Sequence, residues 1–560
     1  MTPASTRRSP VSARRRRLVT GVAVLAASCL GVLGRPSRLP AQGEAVRVRL
    51  PAADAADGRP APADRRRERA SAPYAEPCPL AEPTCVVPAL PREFRGVWVA
   101  TVDNIDWPSK RGLSTRQMRR ELVALLDRAQ AAGMNAVVLQ VRPAGDAIYR
   151  SRLEPWSEYL TGRQGRAPAG GWDPLAFAVL EAHARGMELH AWFNPYRARH
   201  PSAKGPLAPR HLARTRPELV RTYGTHLWMD PGEPDVRAHT IAVITDVVRR
   251  YDIDGVHFDD YFYPYKEKGR NGEVLDFPDS ASYARYLAAG GTQERDDWRR
   301  ANVDRLVEEL QRAIHAEKPW VKFGISPFGI WRPGYPAVVR GFDAYAELYA
   351  DARKWLASGW VDYFTPQLYW PIAQPAQPYP ALLRWWAEQN AFGRHLWPGN
   401  YTSRVGERSR TPWRAAEITA QVAVTRDEPG ASGNLHFSMK AFLEDRDSLV
   451  SRLGRAAYAA KALVPPSPWL DVPPQPEPTV TVRRSRSGGA FHATLAPGAG
   501  AARPRWWAVQ EGDAAGRWTL RVLPGSATEV TFSRTAARAA IRAVDAATID
   551  GPPRVVRLRD

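Results

Sequence analysis

Asp254-Gly255-Val256-His257-Phe258-Asp259-Asp260-Tyr261-Phe262-Tyr263-Pro264 compresses one structural unit into eleven residues. A short link, Asp252-Ile253-Asp254, closes the preceding helix-period segment, in which Ile241, Ile244, Val247, Val248 and Tyr251 share a face. An apolar run suited to a buried strand follows, and it ends on two adjacent carboxylates that open a long loop of aromatic and charged residues. The same order of short link, strand, chemically rich loop and helix recurs along the chain. Strands are expected at Phe94 to Thr101, Ala136 to Arg142, Leu189 to Asn194, Gly255 to Asp260, Lys322 to Pro327, Tyr363 to Leu368, His395 to Asn400 and Asn434 to Ser438. Eight such units are the number that closes a parallel (β/α)₈ TIM barrel, whose chemistry sits on the loops after the strands. An open doubly wound sheet would want a glycine-rich phosphate loop after an early strand, and none is present.

The helices between these strands carry their own start and stop signals. Ser114 with Gln117 has the spacing of a capping box, the face Met118, Leu122, Leu125, Leu126, Ala129 follows, and Gly133 stops it. Further helices are expected near 173–185, 298–317, 343–358, 379–391, 413–426 and 445–460. Links into strands are short, as at Gly133-Met134-Asn135 and Arg185-Gly186-Met187, whereas the early links out of strands, 143–172, 195–234 and 261–297, are long. That asymmetry is the one expected of a barrel enzyme.

In a closed barrel all strand ends face one mouth. This places Trp98, Asp103, Asn104 and Asp106 after the first strand, Arg142 and Asp146 after the second, and Asn194, Tyr196 and Arg197 after the third. His257, Asp259, Asp260 and Tyr261 come from the fourth, Trp331 and Arg332 from the fifth, Gln367, Tyr369 and Trp370 from the sixth, Asn400 and Tyr401 from the seventh. Carboxylates, amides, guanidinium groups and flat rings together suit a polyhydroxylated ligand. His257 with the two aspartates could instead ligate a metal, but no His-x-His or His-x₃-His accompanies it, and no metal or cofactor is expected.

The remainder divides into four parts. Residues 1–41 hold eight arginines and no acid, then the apolar run Leu18 to Gly34, the layout of a secretory signal peptide. The run could also span a bilayer, so membrane association is expected only if it is retained or lipidated; Cys29 lies in a poor lipobox because the apolar run continues past it. Those eight arginines account for eight of the +21 formal charges, and the +13 that remains favours anionic polymers. Residues 42–91, rich in Pro, Ala and Arg, are expected to be a disordered tether, with Cys78 and Cys85 placed to close a small disulfide loop in an oxidising compartment. Beyond the barrel, 92–460, the prolines of 461–478 suggest a stiff linker, and seven short strand patterns in 479–560 a fibronectin-III-like β-sandwich.

Five ordered motifs, spread over 92–460, carry a resemblance. Glu93 to Thr101 with Asn104 to Trp107, Val138 to Pro143, Ala191 to Arg197, Asp254 to Pro264 and Thr365 to Tyr369 resemble the strand-end blocks of the bacterial glycosyl hydrolase-like family 10. The resemblance implies an exported glycosidase, secreted or periplasmic, some of whose relatives are similar to enzymes that cut peptidoglycan strands lacking stem peptides. The partner it implies is therefore a glycan polymer of the cell wall, not nucleic acid. Adjacent carboxylates cannot easily flank a sugar as a two-carboxylate glycosidase requires. Asp259-Asp260 resembles the paired acids of O-GlcNAcase-like enzymes, and the Tyr369 region resembles the sixth strand of chitinase barrels. In such enzymes the substrate's acetamide oxygen attacks the anomeric carbon. Asp259 then orients the acetamide and Asp260 protonates the leaving oxygen, or the reverse, because strand parity at a bulged end is not readable from sequence. A conventional two-carboxylate glycosidase, with Asp103 or Asp146 beside Asp260, and a barrel that only binds glycan are the alternatives.

Overall fold

The computed structural model describes residues 86–409, 411–485 and 490–558. The expected signal segment 1–41, most of the expected tether and both Cys78 and Cys85 lie outside the described residues. Eight chain segments form a curled, wholly parallel sheet: β1 (Phe94–Val99), β2 (Ala136–Arg142), β3 (Glu188–Phe193), β4 (Gly255–Phe258), β5 (Lys322–Ile325), β6 (Tyr363–Phe364), β7 in two pieces (His395–Leu396 and Gly399–Asn400) and β8 (Gly433–His436). The first piece of β7 pairs with β6 and the second with β8, while β8 pairs with β1. Both ends of the sheet are thus pieces of one segment split at Trp397-Pro398, and the sheet curls back on itself as a barrel-like wall. Proline's missing N–H explains the interruption.

Small and large residues alternate inside the wall. A Cβ on Gly255 would lie 2.5 Å from the His190 ring, and one on Gly324 would lie 2.1 Å from the Tyr363 ring. These glycines are therefore the space into which two interior rings fit. Phe94 stacks on Trp397 at 3.7 Å, filling the level of the strand starts.

The helices α1 (Thr115–Ala131), α2 (Pro174–Ala184), α3 (Pro234–Arg250), α4 (Arg295–Glu317), α5 (Ala352–Ala357), α6 (Tyr379–Glu388) and α7 (Ala415–Asp427) follow their strands. The Ser114 capping box is formed, and Met118, Leu122, Leu125, Leu126 and Ala129 are the buried face of α1. Two expected helices are broken. The stretch 343–358 is split into Ala344–Glu347 and α5, each capped by its own aspartate, Asp343 and Asp351, around Tyr349 at φ 53°. The stretch 445–460 is a series of short turns around Leu449–Arg452. None of the described helices is long and apolar enough to cross a membrane.

At the C-terminus, β9 (Thr479–Arg484), β10 (Phe491–Ala496) and β13 (Glu529–Thr531) form one antiparallel sheet. A second consists of β11 (Trp506–Asp513), β12 (Trp518–Pro524), β14 (Ala536–Val544) and β15 (Arg554–Arg557), in the order β12-β11-β14-β15. Both belong to the same compact unit as the barrel-like sheet. The proline-rich segment that suggests a spacer is instead packed at the strand starts. Trp469 Nε1 donates to Asp362 Oδ1 at 2.9 Å, Ser467 Oγ meets His395 Nε2 at 3.0 Å, and Leu463 joins Leu90, Trp506, Leu520 and Val544 in an apolar cluster. Arg505 reaches Asp252 at 2.6 Å and the enclosed Asp254 at 3.3 Å.

Removing one member of a buried ion pair leaves the other charge without its partner. Asp254 keeps His183 and the Leu189 amide, so Arg505→Met is expected to cost about 3 kcal/mol in denaturant unfolding. A change below about 0.5 kcal/mol, the scale of an exposed pair, would contradict this docking.

Candidate active site

The register that sets Phe193 beside Phe258 brings the next residues, Asn194 and Asp259, together at the strand ends. Trp192 Nε1 donates to Asp259 Oδ2 at 3.0 Å, Asn194 Nδ2 lies 3.3 Å from both Asp259 oxygens, and the Tyr261 amide donates to Oδ1 at 3.2 Å. Asn194 is itself fixed, because its Oδ1 accepts from the Arg197 amide at 2.8 Å. Asp260 accepts the Tyr265 hydroxyl and also feels Gln367, whose Nε2 is anchored on the Ser326 carbonyl at 2.9 Å. Both carboxyls are buried. Burial lifts Asp259 to about 6, with Arg197 opposing and Asp260 adding to the rise, and burial raises Asp260 as well. Asp259 is thereby a rigidly held acceptor, and burial makes both carboxyls keep a proton more readily than usual.

Aromatic rings wall the pair. Arg197 lies over the Tyr261 ring at 4.4 Å, and Tyr261 meets Tyr265 at 5.6 Å. Tyr265 leads to Phe342 at 5.4 Å, then Phe328 and Trp370. Tyr369 stacks on Tyr401 at 4.7 Å and leans on Phe437, which also meets Trp98 edge-on at 6.0 Å. Burial and the neighbouring Asp260 carry the Tyr369 hydroxyl well above its ordinary range. Beneath them, Trp98 Nε1 donates to His257 Nε2 at 3.0 Å, and His257 Nδ1 meets the Tyr363 hydroxyl at 3.1 Å. With both nitrogens engaged and burial holding its pKa well below 6.5, His257 is a neutral structural ring beneath the site. Among the described residues no three His, Cys, Asp or Glu side chains gather as a metal site.

Several residues expected at the mouth do other work. Arg142 is enclosed by its ion pair with Glu154 at 2.6 Å and by the Asn194 and Pro195 carbonyls at 2.7 and 3.0 Å, so it holds the loop after β3. Asp146 accepts from the Ala144 amide and Gln164 in a separate small pocket shared with Glu158 and Tyr159; burial lifts it to about 7. Asp103 is exposed on the rim, 3.9 Å from Arg111, and Asn104 pins the Pro108 and Tyr159 carbonyls. Asp106 ties β1 to the chain after β8, accepting from the Ala100 amide, Ser438 and the Lys440 amide, each at 2.8 Å. Tyr196 is fully buried with no partner for its hydroxyl. Asn400 points toward the helices, bonded to Gln421 of α7 and to Asn434. Trp331 donates to Asp351 and stacks near Trp385 of α6, away from the aspartates. Conversely, Trp192, inside the Ala191 to Arg197 motif, and Tyr265, one residue beyond the Asp254 to Pro264 motif, hold the pair without having been expected to.

Asp259 provides a stability test. Its folded pKa, about 6, exceeds the ordinary aspartate value of 3.8, so the folded chain holds this proton more tightly and stability drains away as pH rises through that window. Asp259→Asn removes the drain. The stability of the variant relative to wild type should therefore grow by about 2 kcal/mol between pH 4 and pH 7, measured by denaturant unfolding. A pH-independent difference would contradict the buried-acid assignment.

Comparison with known proteins adds an independent line. The family model described as Glycosyl hydrolase-like 10 matches residues 93–414. Glycosyl hydrolase YngK of Bacillus subtilis (strain 168) is 43% identical over 398 residues, which span 70% of this chain and 76% of that protein. Glycosyl hydrolase DigH of Escherichia coli (strain K12) is 35% identical over 371 residues, 61% of this chain and 82% of that protein. Among solved structures, the PgaB (BpsB) glycoside hydrolase domain from Bordetella bronchiseptica aligns at 18% identity with a TM-score of 0.44, over 65% of this chain and 98% of that one.

Proposed function

The chain belongs to the glycosyl hydrolase-like 10 family, and from that premise we propose that it is an exported glycosidase that hydrolyses N-acetylated glycan strands of the cell wall with help from the substrate's own acetamide. The observation that carries this reading is the unequal treatment of two adjacent buried carboxyls. Asp259 is gripped by Trp192, Asn194 and the Tyr261 amide, as a group that must hold an acetamide N–H in one direction has to be. Asp260 is held more loosely, by the Tyr265 hydroxyl and Gln367, and burial raises its pKa as it does that of Asp259; the looser setting suits a general acid. The candidates for a conventional partner are committed elsewhere: Asp146 to Gln164, Asp106 to the β1–β8 tie, and Asp103 to the exposed rim. That distribution supports assistance by the substrate over a second carboxylate across the sugar.

The mechanism assigns each residue a task. The acetamide oxygen attacks the anomeric carbon while Asp259 accepts the acetamide N–H, sharpening the oxygen as nucleophile. Asp260 gives its proton to the departing glycosidic oxygen, and the Tyr265 hydroxyl stabilises the carboxylate that forms. Water then opens the cyclic intermediate, with Asp260 taking its proton. Tyr369 and Trp370 supply ring faces on which pyranose rings lie, while Trp98, expected to do the same, is buried in the floor against His257 and Phe437.

The architecture proposed is a (β/α)₈ barrel with a docked fibronectin-III-like module, a reading supported by the three-strand and four-strand sheets β9-β10-β13 and β12-β11-β14-β15. Export is proposed from residues 1–41, and oxidised Cys78 and Cys85 in protein recovered outside the cytoplasm would be its mark.

Two measurements test the chemistry. Asp260→Asn should lower turnover of natural glycan strands by about 10²–10⁴-fold while sparing substrates with activated aryl leaving groups, which need no proton; Asp259→Asn should depress both. Equal activity of wild type and Asp259→Asn on every glycan would rule the roles out. Peptidoglycan strands, chitin oligosaccharides and β-glucan offered side by side, then the active one after de-N-acetylation, test the substrate. The N-acetylated strands should be cut and the de-N-acetylated ones left intact; preference for β-glucan would overturn the assignment.

A further inference from the structure

Five arginines are buried among the described residues, and four have a carboxylate close by: Arg95 with Glu93 at 2.7 Å, Arg142 with Glu154 at 2.6 Å, Arg299 with Asp279 at 2.8 Å, and Arg542 with Asp550 at 3.4 Å. Arg197 is the exception. It is 3% exposed, yet no carboxylate lies within 4.0 Å of its guanidinium among the described residues. Its one described side-chain hydrogen bond runs from Nη1 to the Pro143 carbonyl at 3.2 Å, and its buried Nε has no acceptor. A guanidinium has five N–H donors, and a desolvated cation with no carboxylate in contact is unfavourable.

The group is nevertheless held in place. Its backbone amide is fixed on Asn194 Oδ1, and its head lies over the Tyr261 ring at 4.4 Å and within 6.0 Å of Trp228. It shares the mouth with the aspartates, since its charge opposes the rise in pKa of both Asp259 and Asp260. Neither aspartate completes it, because Asp259 is spent on Trp192, Asn194 and the Tyr261 amide, and Asp260 on Tyr265.

We infer that Arg197 is the receptor for a carboxylate carried by the substrate sugar beside the Asp259–Asp260 pair. The inference rests on the glycosidase reading and adds to it the residue that reads an acidic substituent on the N-acetylated units. A carboxylate is the planar acceptor that matches a guanidinium fork and cancels its charge, whereas a hydroxyl or acetamide oxygen would satisfy an N–H and leave the charge bare. Bound there, the substrate carboxylate also adds negative charge near Asp260 and keeps the acid protonated until it is needed.

Calorimetric binding to the full chain tests this without requiring turnover. The probes are the disaccharide of N-acetylglucosamine and N-acetylmuramic acid, the same disaccharide with its carboxyl reduced to an alcohol, chitobiose, and a glucuronic acid disaccharide. Wild type should bind the muramic probe at least tenfold more tightly than its reduced form or chitobiose. Arg197→Met should bind all of them with the affinity of the reduced probe, and Arg197→Lys, which keeps the charge without the fork, should retain part of the preference. A weak glucuronic probe places the acid on a lactyl-type ether; a tight one places it on the ring carbon outside the pyranose. No preference in wild type, or an undiminished preference in Arg197→Met, overturns the inference. A carboxylate preference in a protein that hydrolyses nothing would leave Arg197 standing and defeat the glycosidase reading; hydrolysis without preference would do the reverse.

Discussion

A single file of hydrogen bonds up the axis of the barrel-like sheet constrains everything above it. At the strand starts Lys322 Nζ donates to Glu188 Oε1 at 2.9 Å, and the other Glu188 oxygen meets His190 Nε2 at 2.9 Å. His190 Nδ1 meets the Tyr363 hydroxyl at 2.9 Å, Tyr363 meets His257 Nδ1, and His257 Nε2 meets the Trp98 indole. The chemistry of the ends fixes the direction of the file. An indole N–H can only donate, so His257 Nε2 accepts and its proton sits on Nδ1; a carboxylate can only accept, so His190 carries its proton on Nε2. Each link is buried, and each would be costly if broken, because a buried polar group without a partner has no water to turn to.

The aspartates rest on this floor. Trp98 is fixed by His257, and the edge-on packing of Trp192 against His257 at 6.4 Å sets the indole that grips Asp259. Two carboxyls adjacent in the chain and buried together cannot easily both be charged. The fold surrounds them unequally, with three donors on Asp259 and the Tyr265 hydroxyl with Gln367 at Asp260, and the two proposed roles rest on that inequality.

Much of this was legible in the sequence, for identifiable reasons. The strands are short apolar runs between short links, a local signal, and all eight appear where expected; the Ser114–Gln117 cap and the α1 face are equally local. Asp259 and Asp260 were legible because they end such a run. The losses share a cause, since they depend on partners distant in sequence. Arg142 looks like a ligand-binding cation until Glu154 is folded back onto it. Asn400 looks like a mouth residue until the break at Pro398 sets the parity of its strand and turns it toward Gln421. Trp331 looks like a sugar platform until Asp351 and Trp385 claim it. The prolines of 461–478 signal stiffness correctly, but stiffness does not say whether a segment spans solvent or lies on a surface, and Trp469 and Ser467 decide that by bonding to Asp362 and His395.

The central claim is that a sugar's own acetamide acts as nucleophile under the direction of Asp259. Its most direct test is inhibition by the thiazoline of N-acetylglucosamine, in which sulfur takes the place of the acetamide oxygen in the cyclic intermediate. Mimics of high-energy states bind about 10²-fold or more tightly than substrates, so the account predicts competitive inhibition at least that much stronger than by N-acetylglucosamine itself, and its loss in Asp259→Asn. A thiazoline that inhibits no better than the parent sugar would contradict it.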